Sequence, residues 1–165
     1  MNSIREAEIM SKFKSLCASA GFLLCSFVQI NAAMAANTED TLGLAGTYHC
    51  HGYDSHEGPY KGAVVTLKLD AKNSKLEQDR GAYLFTLVEP DGTRYIGEAA
   101  AEKDYLAVYF QNTSSSMKTD RGVGIAKVTR EKNAQGKIKT VFNKFYYEPH
   151  YEGGGNGTET CEKVE

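Results

Sequence analysis

The chain has 165 residues, 24% of them charged, a formal net charge of −2 and no tryptophan. That length supports one domain with a real core. The charge balance offers no clustered basic surface of the kind that nucleic acid or an anionic membrane would need, and neither partner is expected.

Residues 1–35 read as an export leader. Lys12 and Lys14 make a basic start, an apolar run covers residues 16–30, and Ala33-Met34-Ala35 is a small-x-small site, with cleavage expected before Ala36. Ser15, Ser19, Ser26 and Gln29 interrupt the run, so it makes a poor permanent span and no stable membrane anchor is expected. Met10 is an alternative start. The expected compartment is the periplasm or the exterior. Cleavage leaves 130 residues with 16 basic against 19 acidic side chains, and all ten tyrosines. Glycine and tyrosine are abundant and no long stretch has a 3.6-residue apolar period, which is a β composition.

Residues 36–44 read as a flexible polar tail, and residues 45–165 as a β-barrel domain. A first strand is expected at 46–52. A turn at 54–59 leads to a second at 60–70, whose Ala63, Val65, Leu67 and Leu69 face inward by alternation. Residues 71–80 are a solvated connection with room for one helical turn at 74–77. Strand three, 82–89, is apolar on both faces. Pro90-Asp91-Gly92 turns the chain into strand four, 93–100, because Pro presets φ and Gly accepts a positive one. Strand five, 105–111, sets Leu106, Val108 and Phe110 opposite Tyr105, Ala107 and Tyr109. A Ser/Thr-rich loop precedes strand six, 122–130, marked by Gly122 and Gly124. Strand seven, 138–148, is aromatic, residues 149–157 are glycine-rich, and a last strand runs over 158–164.

Eight strands with short connections make an up-and-down meander. Cys50 and Cys161, 111 positions apart, are the two cysteines outside the leader, and in an exported chain they invite one disulfide. That bond would bring the first strand beside the last. The expected fold is therefore all-β: an eight-stranded antiparallel up-and-down barrel closed by Cys50–Cys161, with a β-sandwich as the alternative.

Gly46-Thr47-Tyr48 resembles the G-x-W that opens the first strand of lipocalins and other calycins, with Tyr in the place of Trp. Tyr95-Ile96-Gly97, the glycine-marked sixth strand and Gly157-Thr158-Glu159-Thr160-Cys161 look like a group of small exported bacterial barrels of lipocalin- or avidin-like shape. The resemblance implies a closed barrel around a small ligand. It carries over no biotin site, because the tryptophans that line one are absent.

Tyrosine combines an apolar ring with one hydrogen-bonding handle, which suits a partly polar pocket. Tyr83, Tyr95, Tyr109 and Tyr147 are the candidate ligand residues. His49 and His51 share a strand face and, with His56 or Asp54, offer a zinc- or copper-type ligand set; if Cys50 faces inward, both point to water. Glu148, Glu152 and Glu159, with His150 nearby, offer carboxylates for acid–base hydrolysis. The leading expectation is a secreted, non-enzymatic binding protein. Its partner is a small ligand in the barrel mouth or a host or envelope protein on its surface, and no cofactor is called for. The alternatives are a hydrolase using carboxylates near Glu148 and Glu159, and a protein–protein interaction or inhibitor module.

Overall fold

The computed structural model describes residues 39–132 and 134–164; the leader expected over 1–35 lies outside them. Eight strands follow in order: β1 (Gly46–Asp54), β2 (Gly58–Leu69), β3 (Arg80–Val88), β4 (Arg94–Glu102), β5 (Tyr105–Asn112), β6 (Arg121–Lys132), β7 (Ile138–Glu148) and β8 (Gly155–Lys163). Each pairs antiparallel with its sequence neighbours, and β1 also pairs with β8, so the barrel closes in simple up-and-down order. Cys50 and Cys161 stand directly opposite each other in that last ladder, disulfide-bonded with their Cα atoms 4.1 Å apart. The expected fold class holds, and the sandwich alternative does not. The connection between β2 and β3 carries one 3-10 turn, Leu76–Gln78, beside the helical turn expected at 74–77.

Alternation fills the interior. Tyr48, Val65, Leu67, Phe85, Leu106, Val108, Val128 and Phe142 are all buried, each contributing about 1.5–3 kcal/mol relative to exposure. Tyr48 and Phe142 pack ring against ring at 5.0 Å. One local device changes the phase. Between Cys50 and His51 the β1–β2 register slips by one residue, because Lys61 and Gly62 together oppose a single step of β1. Gly62 has φ +89°, a conformation that glycine takes without a Cβ penalty. The extra residue turns Tyr60 inward, onto the same face as Ala63 and Val65.

The two ends of the barrel differ. At one end the chain before β1 folds in as a plug. Leu42 and Leu44 are buried, and the Tyr48 hydroxyl donates to the Leu44 carbonyl at 2.6 Å. Asp40 accepts from the amides of Leu42 and Ala45 and, at 2.8 Å, from the Tyr83 hydroxyl. Arg130 Nη2 donates to the Leu42 carbonyl at 2.6 Å while its Nη1 binds Asp104 Oδ1 at 2.7 Å. The expectation of a flexible tail over 36–44 is thus corrected for residues 40–44. Two leucines have a barrel end to bury into, and Asp40 satisfies the amides of the turn that carries them there.

Candidate functional site

At the opposite end the connections 55–57, 89–93, 113–120 and 149–154 gather around an open mouth. A cavity of about 40 Å³ lies inside it, walled by Tyr60, Phe110, Lys144, Tyr146, Glu148 and Glu159. It adjoins a groove of about 410 Å³ across the rim, and Glu57, Glu89, Tyr95 and Tyr151 line both.

The floor is a buried ion pair. Strand parity turns Phe142, Lys144, Tyr146 and Glu148 of β7 inward, and Glu159 of β8 faces them. Lys144 Nζ lies 2.6 Å from Glu159 Oε2, with both side chains almost fully buried. That contact is held by charge and not by an aligned hydrogen bond. Glu159 Oε1 accepts from the Tyr60 hydroxyl at 3.1 Å. The stem of Lys144 lies over Gly124 of β6, where a Cβ would stand 3.1 Å from its Cδ; glycine there gives the lysine its room. Tyr146 donates to Asp54 Oδ2 at 2.8 Å, and Asp54 Oδ1 accepts the amides of His56 and Glu57, which fixes the β1–β2 turn.

The wall above is acidic. Asp120, buried at the end of the 113–120 loop, takes the Tyr95 hydroxyl at 2.9 Å and the Asn112 amide at 2.7 Å, both on Oδ2. Burial, and then the neighbouring carboxylates, push Glu89 and Glu148 up to about 7; for Glu148 those neighbours are chiefly Asp54 and Asp120. The same causes raise Glu57. Tyr60, Tyr95 and Tyr146 are driven well above the ordinary phenol range by burial first, and so remain protonated donors.

These shifts set a pH dependence of stability. Glu89 and Glu148 hold protons in the folded state at pH values where the unfolded chain has lost them. Their stabilisation is complete below about pH 4.5 and is lost as pH rises through about 7. The melting temperature is expected to be higher at pH 6 than at pH 8, and Glu148→Gln to flatten that difference. A wild-type melting temperature that climbs from pH 6 to pH 8 would contradict the assignment.

The structure divides the four candidate tyrosines. Tyr95 lines the mouth. Tyr83 faces inward but at the plugged end, bonded to Asp40. Tyr109 and Tyr147 point outward, 37% and 49% exposed. Parity places Tyr109 with Tyr105 and Tyr147 with Phe145, on the outer faces of β5 and β7. The tyrosines at the mouth that were missed are Tyr60, Tyr146 and Tyr151. His49 and His51 both lie exposed on the outer face of β1, with Asp54 turned inward and His56 at the mouth rim, 3.7 Å from Glu152. Among the described residues the one grouping with metal-ligand spacing is Cys50, Glu159 and Cys161, and both its sulfurs are in the disulfide. Glu148 and Glu159 do meet in the cavity, whereas His150 and Glu152 stay exposed in the connection beyond.

Fold and site together define a disulfide-closed eight-stranded barrel, plugged at one end and open on an acidic, tyrosine-lined mouth at the other. No protein-family model matches the chain, and no curated protein matches it. Among solved structures the chain is similar to one described as EF1p2_mFAP2b bound to DFHBI. The two share 11% identity at a TM-score of 0.42, over 77% of this chain and 98% of that one. So distant a likeness does not bear on what this barrel holds.

Proposed function

We propose that this is an exported, non-enzymatic binding protein that takes a small ligand in the open mouth of its barrel. One observation carries the reading: residues 40–44 seal one end, while the other opens through a polar, aromatic-lined cavity onto a groove. Small-ligand sites favour such barrel mouths, with few polar groups set among rings. Kinship with lipocalins belongs to this proposal and rests on Gly46-Thr47-Tyr48 opening β1. Tyr95, Tyr60 and Tyr146 are the tyrosines assigned to it. The hydrolase alternative is less well supported, because Glu159 is committed to Lys144 and Tyr60 and leaves Glu148 without a free partner on the β7–β8 wall.

A second reading, contact with a protein, rests on the outer face of β5–β7. Val123 stands opposite Tyr147 and Ile125 opposite Phe145, all about half exposed. Apolar surface gathered on one face in this way marks interaction sites. Native mass spectrometry of protein purified from its own source separates the two. A chain carrying an added small mass, lost on Tyr95→Ala, is the expected result. A bare chain, or one held to another protein, would replace the first reading with the second.

A further inference from the structure

The barrel interior already builds a site for an ammonium group, using its own lysine. Lys144 Nζ stands 5.4 Å from the centre of the Phe85 ring, 5.5 Å from Phe110 and 5.3 Å from Tyr146. At such distances the negative face of a ring attracts a cation. Glu159 supplies the counter-charge. Toward the mouth carboxylates and rings recur, while the one lysine of the cavity wall, Lys144, is already paired with Glu159. Among the described residues no salt bridge reaches Glu89, Asp120 or Glu148. Asp120 is 2% exposed and lines the groove, and its Oδ1 has no hydrogen-bond partner among those residues. A buried carboxylate oxygen left so is costly, and a donor carrying positive charge is its best complement. Tyr95, which holds the other oxygen of Asp120, packs edge-on against Phe110 at 5.9 Å, so rings flank these carboxylates as they flank Lys144.

Size narrows the ligand. Pockets that enclose drug-sized ligands run to roughly 300–1,000 Å³, whereas the inner cavity has about 40 Å³. It admits a group the size of an ammonium or a methylene, while the groove outside has about 410 Å³. The groove wall adds Glu57 and Asp91 against a single cation, Arg94.

We propose that the mouth binds a slender aliphatic diamine. Glu148 takes one ammonium in the inner cavity, Asp120 takes the other in the groove, and Glu89, which lines both, lies between. This rests on the mouth being the ligand site. Asp54, Glu57, Asp120 and Lys144 face Glu148, and Glu57, Asp91, Asp120 and Glu159 face Glu89. Burial, and then the carboxylates among them, hold protons on Glu89 and Glu148 near neutrality, so a diamine binds more tightly at pH 8 than at pH 6.

Calorimetric titration of the purified protein with 1,4-diaminobutane at pH 8 tests this. Saturable binding is expected, with none for 1,4-butanediol. Glu148→Gln and Asp120→Asn are each expected to weaken it by about tenfold, the loss of one charge-assisted hydrogen bond. Glu148→Gln removes a charge that burial disfavours, so an unchanged or raised melting temperature accompanies its weaker binding. Diamine binding that neither variant alters overturns the proposal. So does calcium chloride binding in the mouth and displacing the diamine, which would make this a divalent-cation site. Absence of diamine binding, with a neutral or anionic molecule co-purifying in the mouth, overturns the amine and keeps the ligand site. Absence of both overturns the two together.

Discussion

Replacing Lys144 with methionine is expected to destabilise the barrel by about 3–5 kcal/mol, the cost of leaving one member of a buried ion pair uncompensated. Lys144 is 4% exposed and Glu159 2%. Without the ammonium 2.6 Å away, Glu159 keeps, among the described residues, only the Tyr60 hydroxyl as a partner. It must then bury a bare charge or take up a proton at a cost. Methionine preserves the length of the stem over Gly124, so lost packing contributes little. Urea denaturation measures the change. The double variant Lys144→Met with Glu159→Leu is expected to recover most of it, because a well-packed apolar pair replaces a buried salt bridge at little net cost. A single variant within about 1 kcal/mol of wild type would show that Glu159 is neutralised cheaply. The pair would then hold the barrel floor no more firmly than a hydrogen bond does.

Opening the disulfide acts on the other side of the folding equilibrium. Cys161→Ser is expected to cost about 4–5 kcal/mol, since a bond closing a loop of this size removes that much chain entropy from the unfolded state. The bond joins residues 111 positions apart at the seam where β1 meets β8. Seven residue pairs from Tyr48↔Lys163 to Asp54↔Gly157 make that seam, so the folded barrel keeps its shape without the bond and becomes easier to unfold. The double variant Cys50→Ala with Cys161→Ala isolates the entropic part by leaving no buried thiol or hydroxyl. Denaturation with and without reductant supplies the comparison. Equal stability in both conditions would mean that the unfolded chain gains nothing from release.

The period of two, with the turn residues and the aromatic and β-branched runs between them, was enough to find all eight strands, because side chains of alternating polarity can satisfy a half-buried sheet in one register only. Parity also set Leu106, Val108 and Phe110 of β5 on the face opposite Tyr105, Ala107 and Tyr109, but only the structure turns the first three inward and Tyr109 out, against its place among the ligand candidates. It fell short on β7. There Phe142 and Tyr146 point inward while Phe145 and Tyr147, equally aromatic, point out. With apolar residues on both faces, alternation has no contrast to read. Tyr60 escaped the ligand candidates for a different reason: the bulge at Gly62 shifts the phase of β2 by one residue, and no local pattern announces it.

By itself, then, the sequence determined the strands, the staple that closes them and the order in which they run. These depend on neighbours along the chain and on Cys50 and Cys161, the two cysteines outside the expected leader. Only the tertiary structure decided which end is sealed and which is open. Asp40 meets Tyr83 across 43 positions, Asp54 meets Tyr146 across 92, and Tyr60 meets Glu159 across 99. Contacts of that reach come from barrel closure, which brings distant connections to a common rim, and no periodicity within a strand encodes where they fall.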